Sequence, residues 1–103
     1  MSWLVPTPPT AEEFVRQRFE QWIKPLLECT DPSDETIVLN LIGALLTEAR
    51  LKVDGNFQAY VWKLVRPKLE QFKGVVGVRD EAGLRQALYR FMLEAKTYRL
   101  RDG

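Results

Sequence analysis

Histidine is missing from the sequence, and cysteine occurs once, at Cys29. Without histidine the chain has neither the side chain best suited to acid–base chemistry at neutral pH nor the commonest metal ligand. One cysteine cannot build a zinc site or an internal disulfide framework, and it fits a reducing compartment. Beside Thr30 at a helix junction, Cys29 reads as a small packing residue. The glycines form no phosphate loop, because Gly74 and Gly77 are not followed by Lys-Ser/Thr. Carboxylate pairs Glu12/Glu13 and Asp34/Glu35 fall at helix starts, where capping and the helix dipole account for them. No apolar run reaches the length of a membrane span. The opening MSWLVPTPPT lacks the basic and hydrophobic regions of a secretory signal. These absences point away from an enzyme and from any cofactor or metal, and toward a cytoplasmic binding protein.

What the chain does have is amphipathic helices. A length of 103 residues with 46% hydrophobic side chains suits one domain, 1–103, with a single core. Residues 1–9 form a proline-rich arm (Pro6, Pro8, Pro9), extended or irregular because proline fixes φ and lacks an N–H. Trp3, Leu4 and Val5 are too apolar for a free tail and are expected to pack on the domain or on a neighbouring subunit.

Thr10 and Glu13 make a capping box that starts the first helix. Its buried side is read as Phe14, Phe19, Trp22, Ile23, Leu26 and Leu27, and Pro25 should kink or tighten its last turn. Asp31-Pro32 starts a second helix, about 32–53, as N-cap and first helical residue. This helix is apolar around most of its circumference, from Ile37 to Ala49, so it is expected at the centre, covered on most sides.

Gly55 suits a left-handed helix end, and Asn56 caps a third helix over 57–73. That helix buries Phe57, Tyr60, Val61, Leu64, Val65, Leu69 and Phe72, with a kink expected before Pro67. Its other face carries Trp62, Lys63, Arg66 and Glu70. Gly74–Val78 is an apolar connector that could be a strand but has no visible partner. Asp80 caps the fourth helix, where Gly83 could permit close approach of another chain. Leu84, Ala87, Leu88, Phe91, Met92, Ala95 and Tyr98 form one stripe on it. The fold class is therefore all-α, a bundle of about four helices with short connections.

Charge is distributed unevenly. Residues 1–54 hold five Lys/Arg against nine Asp/Glu, and residues 55–103 hold ten against five, net −4 and +5. Such a split suits a polyanion on one face or a head-to-tail contact between copies. At about 100° per residue, Arg85, Tyr89, Lys96 and Arg99 fall along one edge of the apolar stripe, and Arg90 is a further cation of that helix. With Trp62, Lys63 and Arg66 they make a set of cations and aromatics suited to a nucleic-acid backbone read without sequence specificity. Leu93 lies opposite the stripe and, with Trp3 and Trp62, suggests a subunit contact. A protein-only adaptor or chaperone-like module is the rival reading. A helix-turn-helix DNA binder is disfavoured, since the last two helices are long and core-forming.

Two segments, FQAYVWKLVRPKLEQF and LRQALYRFMLEAKTYRLRDG, carry a resemblance. With Phe91, Glu94-Ala95, Tyr98 and the basic end, Phe57–Gly103 resembles the helical small subunit of type III and type I CRISPR effector complexes. That resemblance implies a non-catalytic bundle in an RNA-guided antiviral defence complex. Several copies would contact the backbone of guide RNA and target strand through the cations of the last two helices. They would pack on each other and on the large subunit.

Overall fold

The computed structural model describes residues 7–28, 31–52, 55–101. Four α-helices account for most of it: α1 (Ala11–Arg18), α2 (Pro32–Leu51), α3 (Phe57–Lys73) and α4 (Glu81–Thr97). The chain is an all-α bundle, as its periodicities require.

Each helix start is chemically local. Thr10 accepts from the Glu13 N–H at 3.1 Å, and the Glu13 carboxylate accepts from the Thr10 N–H, completing the capping box. The Asp31, Asn56 and Asp80 side chains accept from the N–H groups of Ser33, Ala59 and Gly83. Gly55 has φ +80°, a left-handed turn that favours glycine. It lies past the end of α2, however, because Lys52 is already extended.

Pro25 cannot donate a helical hydrogen bond, and the helix gives way around it. Phe19–Ile23 widens into a π turn, Lys24–Leu26 tightens into a 3₁₀ turn, and the chain emerges extended at β1 (Leu27–Glu28). Pro67 does not break α3, which runs unbroken from Phe57 to Lys73.

The core joins Phe14, Phe19 and Ile23 to Val38, Ile42 and Leu45 of α2, Val61, Val65 and Phe72 of α3, and Leu84, Leu88, Phe91 and Met92 of α4. Phe14 sits 5.4 Å from Phe91 and 4.9 Å from Tyr98, ring to ring. Trp22, Leu26, Phe57, Tyr60 and Leu64 are only half-buried, while Val15 and Val76 are buried without standing out in the pattern.

Three expectations are corrected. First, α2 packs against α1, α3 and α4 as a central helix should, but its uncovered strip is wider than its polar residues. Val38, Ile42, Leu45, Leu46 and Ala49 are buried, but Ile37 is 45% and Leu51 72% exposed. The molecule is 21 Å through its thinnest direction, room for about two helix diameters, and among the described residues no third layer covers the outer side of α2.

Second, Gly74–Val78 does find a strand. Gly77–Val78 is β2, antiparallel to β1 with Leu27 opposite Val78 and Glu28 opposite Gly77. The Arg79 N–H extends the pairing to the Leu26 carbonyl at 2.8 Å. The partner was hidden inside the Pro25-disrupted end of the first helix. Third, the space beside Gly83 is taken by the capping carboxylate of Asp80 in the same chain. A Cβ there would lie 2.7 Å from Asp80 Cγ.

The two ends of the described chain meet. Thr10 and Arg101 form a parallel bridge, and the Arg101 N–H donates to the Pro9 carbonyl at 2.8 Å. The Arg101 guanidinium holds Glu13 at 2.9 Å. Arg50, from the last turn of α2, donates to the Tyr98 carbonyl at 2.9 Å and so satisfies an open carbonyl past the end of α4. Residues 7–9 of the arm have no regular secondary structure. Trp3, Leu4, Val5 and Cys29 lie outside the described residues. Among the described residues no helix is long and apolar enough to cross a membrane.

Candidate nucleic-acid interface

α3 and α4 run antiparallel, and the apolar seams that join them decide where their outer residues fall. Val61, Val65, Leu69 and Phe72 bury one side of α3. Leu84, Leu88, Phe91 and Ala95 do so for α4. Beside that seam the flanking side chains meet in order. Lys96 places its ammonium 5.4 Å from the Phe57 ring. Next, Trp62 and Tyr89 stack with centroids 4.3 Å apart and planes 18° from parallel. Arg66 and Arg85 then line one hollow of about 280 Å³ with Trp62, Glu70 and Glu81. Lys63 joins Trp62 and Arg66 around a shallower one. The distance along α3 from Phe57 to Arg66 is roughly 14 Å, about four rises of a duplex strand.

Both acids beside this row are engaged elsewhere. The Lys73 ammonium lies 2.7 Å from Glu81 and 3.6 Å from Glu70. The hydrogen bond from Lys73 is the main cause holding the Glu81 carboxyl below its usual range, its charge is the next, and Arg85 adds a smaller push. Lys73 is raised in turn, chiefly by its hydrogen bond with Glu81. Among the described residues, Lys63, Arg66 and Arg85 have no carboxylate within ion-pair distance. Trp62 is 39% exposed, so part of the stack remains open to a further ring.

The structure thus brings together Trp62, Lys63, Arg66, Arg85, Tyr89 and Lys96. Arg90 does not join them. It lies over the Trp22 ring at 4.3 Å, toward α1, because it is about 140° around the helix from Arg85. Arg99 is exposed beyond the end of α4, and no hydrogen bond, ion pair or ring contact joins it to the row. Leu93 was expected to face away from the core as a subunit contact. It is half-buried and packs against the core edge, so it does not lie opposite the stripe. Glu70 is read from the sequence as part of this face, but Phe57, Lys73 and Glu81 are not. The available signal was the antiparallel order of α3 and α4, which sets residues near 57 beside those near 96.

Among the described residues no group of three or more His, Cys, Asp or Glu could hold a metal ion. Comparison with family models, curated proteins and solved structures returned no match.

Proposed function

We propose that the α3–α4 face binds the backbone of a nucleic acid, without sequence specificity, as the non-catalytic contact surface of a subunit in a cytoplasmic ribonucleoprotein complex. One observation carries this reading. Arg66, Arg85 and Lys63 surround a partly exposed Trp62–Tyr89 stack while the neighbouring acids are drawn off to Lys73. Unpaired cations release condensed counterions when they meet phosphates. An exposed indole offers any base a stacking surface. The narrower form of the proposal, a small subunit of an RNA-guided CRISPR effector lying along guide RNA and target strand, rests on the sequence resemblance of the same two helices.

The test is titration of a labelled single-stranded RNA and a labelled RNA–DNA duplex, followed by fluorescence anisotropy at several salt concentrations. Replacing Lys63, Arg66 and Arg85 together by Glu should weaken binding at least about tenfold, and should flatten the salt dependence by about one unit of slope per lost phosphate contact. Arg90→Ala, away from the row, should change little. Equal binding by the wild type and the triple variant, with helical circular dichroism intact, would sink the reading. So would purification from the native host that recovers protein partners but no nuclease-sensitive material.

A further inference from the structure

The outward side of α2 is unlike a helix face meant for water. From Thr36 to Thr47 the helix carries no charged residue over twelve positions. Its outward residues are Thr36, Ile37, Asn40, Gly43, Ala44 and Thr47. Both threonine hydroxyls turn back onto the helix, Thr36 to the Pro32 carbonyl at 3.0 Å and Thr47 to the Gly43 carbonyl at 3.2 Å, so the single donor hydrogen of each is spent internally. Gly43 sits mid-helix, where glycine costs about 0.5–1 kcal/mol against alanine. Yet a Cβ built on it meets nothing within 4 Å. Nothing among the described residues requires a glycine there. An approaching neighbour would.

Between this side of α2 and α1 runs a groove of about 410 Å³. Val15, Leu39 and Leu46 give it an apolar lining, and Glu12 and Arg16 stand on its α1 rim. Among the described residues, neither Glu12 nor Arg16 has an ion-pair partner.

We propose that a second copy of this chain occupies this face, α2 against α2, antiparallel about a twofold axis passing between Leu41 and Ile42. Three features identify a copy as the occupant. The stretch TIVLNLIGALLT is nearly its own reverse in residue character about that axis. Thr36 meets Thr47 of the partner, Leu39 meets Ala44, and Asn40 falls over the space at Gly43, large opposite small. An uncharged stretch faces its own copy without like-charge repulsion. The groove rim is self-complementary as well. α1 and α2 are antiparallel, as the contact of Lys24 with Glu35 requires. Glu12 therefore lies toward the Thr47 end and Arg16 toward the Thr36 end, and the axis sets Glu12 of each copy beside Arg16 of the other. The contact is roughly 18 Å long and two helices wide, enough to bury on the order of 1,000 Å² in total, the lower bound for a specific interface.

The α3–α4 row takes no part, so this proposal stands or falls apart from the nucleic-acid reading. Sedimentation velocity of the full chain without nucleic acid, up to about 100 μM, should show a concentration-dependent rise from 12.0 kDa to twice that mass, as a micromolar dimer requires. Gly43→Arg puts bulk and charge on the axis and should raise the dimer dissociation constant at least tenfold, with circular dichroism and melting temperature retained. Glu12→Arg alone should weaken the dimer, and Glu12→Arg combined with Arg16→Glu should restore it. A chain that stays at 12.0 kDa throughout, a dimer indifferent to Gly43→Arg, or a dimer broken by Trp62→Ala instead would each overturn the proposal.

Discussion

Arg18 is a residue on which distant parts of the chain converge. Its guanidinium lies 5.0 Å from the Phe14 ring, 5.1 Å from Trp22 and 5.7 Å from Tyr98. Its Nε donates to Glu94 at 2.7 Å. The side chains of Arg18 and Glu94 are 14% and 27% exposed, so the pair is shielded more than a surface ion pair and should register in stability. Glu94→Ala leaves the guanidinium among three rings without its carboxylate. The expected cost is about 1–3 kcal/mol in urea unfolding, and a change within about 0.5 kcal/mol, the range of neutral surface substitutions, would contradict this account. Spacing could show that Arg18 and Glu94 were both on helices. It could not show that they met, since 76 residues separate them.

At the scale of the element, two glycines in helices behave differently for reasons their sequence neighbourhoods do not reveal. Gly43→Ala adds a methyl into open space and should stabilise the monomer by about 0.5–1 kcal/mol through helix propensity. Gly83→Ala offers the same propensity gain. However, its Cβ collides with the Asp80 carboxylate that caps α4, and loss of a cap costs about 1 kcal/mol. Gly83→Ala should therefore yield no gain. Chemical denaturation of both variants reads the difference, and equal stabilisation would refute the capping argument.

The helix starts themselves were legible. Thr10, Asp31, Asn56 and Asp80 were each readable as caps because a cap bonds only two or three residues away. The end of the first helix was half legible. Pro25 marked where the helix must fail, but not that Leu27–Glu28 would pair with Gly77–Val78, a strand fifty residues on.

For the whole molecule, the absence of histidine removes the usual titration between pH 5 and 8. Among the described residues, two carboxyls are held low. Asp31 is held low first by the Ser33 backbone N–H and then by the Ser33 hydroxyl, and Glu81 is held low by Lys73. A lowered carboxyl contributes stability that is complete above its unfolded value, near 4 for both, and lost as pH falls through the lower folded value. On the alkaline side, Lys73 is raised by Glu81, and Tyr60 is raised by burial and by Glu48. Raised groups contribute stability that is complete below their unfolded values, about 10, and lost as pH rises through the folded ones. Melting followed by circular dichroism should show a plateau from about pH 5 to 9 with a fall on either side. Asp31→Asn with Glu81→Gln should shrink the acid fall, and a slope through neutral pH would contradict the assignment.

The sequence by itself determined that this is an all-α bundle, where its helices begin, and which stripe of α3 and α4 is buried. Capping and amphipathic period act within four or so residues, and a linear reading contains them. Only the tertiary structure decided which flanks meet: Trp62 on Tyr89, Arg66 beside Arg85, Arg90 turned away to Trp22. It alone showed that the open strip of α2 extends past its polar residues to Ile37. Those outcomes depend on the order and register in which helices pack, and packing couples residues that lie far apart along the chain.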